Sequence, residues 1–99
     1  MILGEAYNVL RTIGMTDNQY EFSRIWLGRC RSYMSSTIAR QRRPCADALL
    51  TLAANLSRAS ARFRQSYQHA QANMLDDLGG KVWAEVMGRA KISHSLPLS

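Results

Sequence analysis

Ninety-nine residues, 46% of them hydrophobic, are enough for one packed core and too few for two. Thirteen Lys and Arg stand against seven Asp and Glu, giving a formal charge of +6 and a pI near 10.0. This balance excludes disorder of the whole chain and points to a polyanionic partner, since summed cationic fields attract nucleic acid or anionic surfaces. Eleven of the thirteen cations are Arg, the better side chain for bidentate phosphate and guanine contacts.

The first predicted helix covers Leu3–Ile13, with Leu3, Tyr7, Leu10 and Ile13 on one face. Its Glu5, Asn8 and Arg11 interrupt any long apolar run, so a signal peptide is not expected there. No stretch approaches the roughly 18–20 apolar residues of a membrane span. Thr16 or Asp17 is placed to cap a second helix reaching Leu27, with Phe22, Ile25 and Trp26 as its buried side. A third helix is expected over Arg31–Arg40, between Gly28 and Pro44, and a fourth begins near Cys45–Asp47. From Cys45 to Leu78 there is neither Gly nor Pro. Leu49, Ala53, Leu56, Ser60, Phe63, Tyr67, Ala70 and Met74 recur at alternating steps of four and three, a heptad-like seam on one long helix or two nearly aligned ones. Gly79–Gly80 is expected to break that run before a short last helix over Lys81–Ala90. With no strand-like alternation or hairpin dipeptide, the fold class is all-α.

The charge is concentrated. Arg24, Arg29, Arg31, Arg40, Arg42 and Arg43 equal the net charge of the whole chain, and no acidic residue lies between Glu21 and Asp47. On a helical wheel, Tyr33, Met34, Thr37 and Ile38 share the arc that would face a core. Ser32, Ser35, Ser36 and Ala39 share the opposite arc, with Arg31 and Arg40 at its borders. A solvated helix face ordinarily carries Glu, Lys and Gln. Small side chains instead let a helix approach a groove floor, where hydroxyls meet base edges and a methyl meets thymine.

Two runs carry a family resemblance: Leu27-Gly28-Arg29-Cys30-Arg31-Ser32-Tyr33-Met34-Ser35, and Arg42-Arg43-Pro44-Cys45-Ala46-Asp47-Ala48-Leu49-Leu50-Thr51-Leu52-Ala53-Ala54-Asn55-Leu56. Together they resemble the helix-turn-helix of the Xre/lambda-repressor-like family, whose pattern runs LGxSxSYLS, basic residues, PS and xxxLLxLAxxL. The likeness covers about residues 20–56. It implies a lambda-repressor-like bundle with an extra C-terminal helical element, and a recognition helix starting near Arg31. Base reading would fall to Arg31, Ser32, Ser35 and Ser36, with Ala39 added by the wheel. Phosphate binding would fall to Arg24, Arg29, Arg40, Arg42 and Arg43. Three positions depart from the family pattern: Arg24 where a small residue lies four before the turn glycine, Thr37 at a core isoleucine, and no glycine at Arg40–Gln41.

Cys30 and Cys45 stand where the family has Ser caps, and a thiol caps a helix poorly. Beside Arg29 and Arg31 a thiol pKa is lowered, which leaves redox control open. His69 and His94 lack ligand spacing, so no metal and no cofactor are expected. No phosphate-cradling loop, HExxH or GxSxG occurs, which argues against an enzyme or a small-molecule substrate.

The resulting expectation is a cytoplasmic DNA-binding transcriptional regulator of bacterial or phage type, with Arg31–Arg40 in the major groove of double-stranded DNA and no membrane partner. Residues 1–56 would form the DNA-binding unit, 57–92 a helical extension and 93–99 a flexible tail. The extension would form a homodimer through Phe63, Tyr67, Met74 and Trp83. The alternative is a helix-turn-helix-like protein–protein interaction module, acting as an adaptor or inhibitor.

Overall fold

The computed structural model describes residues 2–93, with side chains followed as far as residue 88. Among the described residues every regular element is helical. Helix α1 spans Ile2–Thr12 and buries Leu3, Ala6 and Leu10, which recur at steps of three and four on one face. Gly14 ends it at φ 78°. There Met15 N–H donates to Leu10 O (2.8 Å) and Gly14 N–H to Arg11 O (3.1 Å), a Schellman closure.

Helix α2 occupies residues 19–26 and opens at Asn18 rather than at Thr16 or Asp17. The Asn18 side-chain oxygen accepts from Glu21 N–H at 2.9 Å, while Thr16 is buried. After a single α turn, Gln19–Glu21, the backbone widens into a π turn over Phe22–Trp26, with Leu27 N–H donating to Phe22 O at 3.2 Å. The extra residue rotates the face. Phe22, Ser23, Trp26 and Leu27 turn inward, and Ile25, expected in the core, is 57% exposed. Gly28 at φ 65° reverses the chain, and Arg29 N–H closes on Ser23 O (2.9 Å) across six residues instead of the usual five.

Helix α3 covers Tyr33–Ala39, shorter at both ends than the expected Arg31–Arg40. Arg31 and Ser32 lie in a tight turn closed by Tyr33 N–H to Cys30 O at 3.0 Å, and the N-cap Ser32 makes no side-chain capping bond. Its last turn also ends in a Schellman closure, from Arg42 N–H to Thr37 O and from Gln41 N–H to Ile38 O (both 3.0 Å). Gln41 holds the left-handed position at φ 51°.

Helix α4 spans Ala46–Gln65 and α5 spans His69–Ser93. The expected long helix is thus cut at residues 66–68, where Tyr67 takes φ 59° and Gln68 N–H donates to Phe63 O at 2.8 Å. The expected break at Gly79–Gly80 lies instead inside α5, held by buried Leu75, Leu78 and Val82 on either side. α4 and α5 form an antiparallel hairpin. Buried Ser60 donates to Asp76 Oδ1 (2.6 Å), Arg64 donates to Ser60 Oγ (3.0 Å), and Arg64 pairs with Asp76. Nearer the start of α4, Ala53 and Ser57 share a groove with Gly79, Gly80 and Trp83.

One core joins Leu3, Leu10, Phe22, Met34, Leu49, Leu52 and Leu56 to Ala59, Leu75, Leu78 and Val82. The boundary expected at residue 56 falls inside α4, and residues on both sides of it share this cluster. Of the tail expected over 93–99, Ser93 ends α5 and the remainder lies outside the described residues. No helix of the described residues is long and apolar enough to cross a membrane.

Candidate nucleic-acid interface

The packing of α2 against α3 and α4 rests on two small residues. At Gly28 a Cβ would meet Thr51 Cγ2 of α4 at 3.3 Å, and its φ of 65° already disfavours any side chain. The small residue needed where α2 meets α3 is Ser23, five before Gly28, because the π turn inserts one position. Arg24, at the position where the resemblance expects a small residue, is left free to face solvent. Ser23 is fully buried, and its Oγ accepts from Met34 N–H at 3.1 Å, satisfying a donor of the first turn of α3.

Met34 and Thr37 anchor α3 to the core, and Tyr33 is half-buried beside them. Tyr33 Oη accepts from Cys45 N–H (2.8 Å), tying α3 to the start of α4. Ile38, expected on the same arc, is 42% exposed, since a seven-residue helix leaning on Met34 and Thr37 covers only a narrow stripe. Ser32, Ser35, Ser36 and Ala39 all face solvent, flanked by exposed Arg31 and Arg40. Ser35 Oγ donates to Gln19 Oε1 at 3.0 Å, so the first turn of α2 orients one hydroxyl of that face.

The arginines gather around this face in two grooves. Tyr20, Arg24, Arg29, Arg31 and Ser32 line one of about 750 Å³. Arg29, Ser36, Arg40, Arg42, Arg43 and Cys45 line a second of about 290 Å³. Arg29 borders both, its guanidinium carbon 5.3 Å from the centroid of the Tyr33 ring. None of the six arginines pairs with a described carboxylate; Arg64–Asp76 and Lys81–Glu5 are ion pairs away from this region. Their charge is therefore available to an external anion.

Both thiols sit at this surface. A hydrogen bond with the Ser32 side chain, aided by its backbone and by Arg29, lowers the pKa of exposed Cys30 from its ordinary value. For Cys45, burial pushes upward, but the Tyr33 hydroxyl, the Ala48 N–H and Arg29 together outweigh it and the net shift is downward. The Tyr33 phenol moves upward through burial and its hydrogen bond with Cys45. Cys45 stands at the N-cap of α4 without a side-chain capping bond, whereas the N-cap of α3 is Ser32 and not Cys30.

The residues assigned to dimerisation are not brought into one stripe. The seam disappears into the protein's own core as far as Ser60, and Phe63 packs half-buried against it. The turn at Tyr67, which is 85% exposed, ends the seam, and Met74 and Trp83 stand exposed on α5. Among the described residues no group of three His, Cys, Asp or Glu gathers as metal ligands would.

The model of a family of unknown function, DUF6626, matches residues 3–94. The chain belongs to DUF6626. That match runs from α1 through α5, so the DUF6626 pattern takes in the C-terminal hairpin together with the arginine-bordered turn. No curated protein and no solved structure matches the chain. Gln19 and Ser23 support this face and were missed by sequence reading, since neither carried a signal.

Proposed function

We propose that the protein is a sequence-specific DNA-binding regulator that inserts α3 and the turn before it into the major groove. The observation that carries this reading is the outward face of Ser32, Ser35, Ser36 and Ala39, bordered by arginines that no described carboxylate neutralises. Arg31, Ser32, Ser35 and Ser36 read base edges, and exposed Ile38 and Ala39 offer methyl groups to thymine. Arg24, Arg29, Arg40, Arg42 and Arg43 hold phosphates and fix the register. A second copy joins through α5, where Met74, Trp83 and Met87 are exposed, and two half-sites about 34 Å apart then supply the affinity one unit lacks.

Selection from random duplexes, followed by titration at several salt concentrations, tests this. A preferred sequence should emerge, bound at least about 10³-fold more tightly than random DNA. Affinity should fall with salt at a log–log slope of about −0.9 per phosphate neutralised. Arg31→Ala or Ser35→Ala should relax the sequence preference, whereas Arg42→Ala or Arg43→Ala should weaken all duplexes alike. No enrichment and no salt dependence would instead favour a protein-interaction module, for which exposed Ile38 on α3 is the supporting feature.

A further inference from the structure

A third groove, of about 200 Å³, opens where the end of α2 meets α4, and it shares no lining residue with the two arginine grooves of the α3 face. Its apolar part consists of Met15, Ile25, Trp26 and Ala59, and its rim carries Arg58 and Arg62, one helical turn apart on α4. The volume is below the roughly 300 Å³ of a small-molecule pocket, which leaves room for one large side chain and not for a metabolite.

Three features mark this groove as built. The π turn holds Ile25 outward, 57% exposed, where regular helical spacing would have buried it. Such turns concentrate at functional sites. Asn55 fixes the arrangement from α4: its side-chain amide donates to both Ile25 O and Trp26 O at 3.1 Å, satisfying the last carbonyls of α2. The same side chain accepts from Arg58 at 3.3 Å, so one residue presents the apolar knob and orients a cation beside it. Finally, among the described residues no carboxylate lines the groove, and neither Arg58 nor Arg62 pairs with an acidic one.

We propose that this groove docks an acidic segment of another protein, one bulky apolar side chain lying against Ile25 and Met15 while flanking carboxylates meet Arg58 and Arg62. Charge complementarity decides the occupant: two uncompensated guanidiniums beside an apolar floor match a carboxylate-flanked hydrophobe, bound through bidentate Arg–carboxylate pairs. A nucleic-acid backbone would satisfy the arginines but leave Ile25, Met15 and Trp26 against charged phosphates, without apolar burial. The inference stands whether or not α3 binds DNA.

The experiment uses the full chain and two display libraries of twelve-residue peptides, each with one randomised apolar position, flanked by Asp and Glu in one library and by Asn and Gln in the other. The acidic library should enrich binders and the amide library should not. Binders measured by fluorescence anisotropy should lose at least about tenfold in affinity to the Arg58→Glu/Arg62→Glu variant, consistent with removal of paired charges. They should also weaken with Ile25→Ala. All three positions are exposed, and circular dichroism of each variant confirms that it folds. Equal enrichment from both libraries, no enrichment from either, or acidic binders indifferent to the variants would overturn the proposal. So would loss of duplex binding on Arg58→Glu/Arg62→Glu with peptide binding unchanged, which would reassign these arginines to nucleic acid.

Discussion

Gln41 and Tyr67 both take left-handed backbone angles, 51° and 59° in φ, at the ends of α3 and α4. A side chain in that region crowds its own carbonyl and costs about 1–2 kcal/mol relative to glycine. Gln41→Gly should therefore stabilise the fold by about 1 kcal/mol, read as a higher urea midpoint with an unchanged slope. Gly28→Ala should do the reverse. There the added methyl meets both an unfavourable φ and Thr51 Cγ2 at 3.3 Å, and about 1–2 kcal/mol should be lost. A lower midpoint for Gln41→Gly, or an unchanged one for Gly28→Ala, would mean that these closures are not what terminates the helices.

The same residues account for what could be read from the chain in advance. α1 and the beginning of α4 were legible because Gly14 and Pro44 mark their limits, and the outward serines of α3 followed from the three-residue step between Met34 and Thr37. The end of α4 was not legible, because Tyr67 occupies a position that glycine usually announces. Conversely, Gly79–Gly80 suggested a break, yet packing of Leu75, Leu78 and Val82 overrides the weak helix propensity of that pair. The π turn left no trace in periodicity, since it depends on Asn55 capping from a helix thirty residues away, and so Ile25 was misplaced and the third groove went unseen. Within the hairpin, Arg64 and then Ser60 hold the Asp76 carboxyl below its ordinary pKa. A carboxylate depressed in the folded state adds stability above its unfolded pKa and loses it as pH falls through the lower folded value. The stability gap between wild type and Asp76→Asn should be constant above about pH 5 and close progressively below about pH 4, measured by chemical denaturation across that range. A gap that persists undiminished to about pH 2 would show that the carboxylate contributes through packing alone. The exposed Lys81–Glu5 pair is worth little by comparison.

Across the whole molecule, the arginine cluster around α3 and the exposed apolar residues of α5 stand on different elements. Six uncompensated arginines border α3 and the turns on either side of it, whereas Met74, Trp83 and Met87 stand on α5. In the proposed assembly, pairing through α5 spares the arginine faces from being pressed together, and like-charge repulsion between copies is reduced. The single core linking α1 to α5 means that the arginine-bordered turn is packed on the same interior as the C-terminal hairpin.

The reversal at Tyr67 also bears on how quickly this protein assembles. α4 and α5 are neighbours in sequence joined by three residues, so their pairing closes a short loop and gives a topology of the rapidly folding kind. If the corner is already formed at the rate-limiting barrier, relieving its strain with Tyr67→Gly should speed refolding and leave unfolding almost untouched. Stopped-flow measurements in both directions would register this, and acceleration confined to the refolding limb places the hairpin among the first events in the chain's search for its native state.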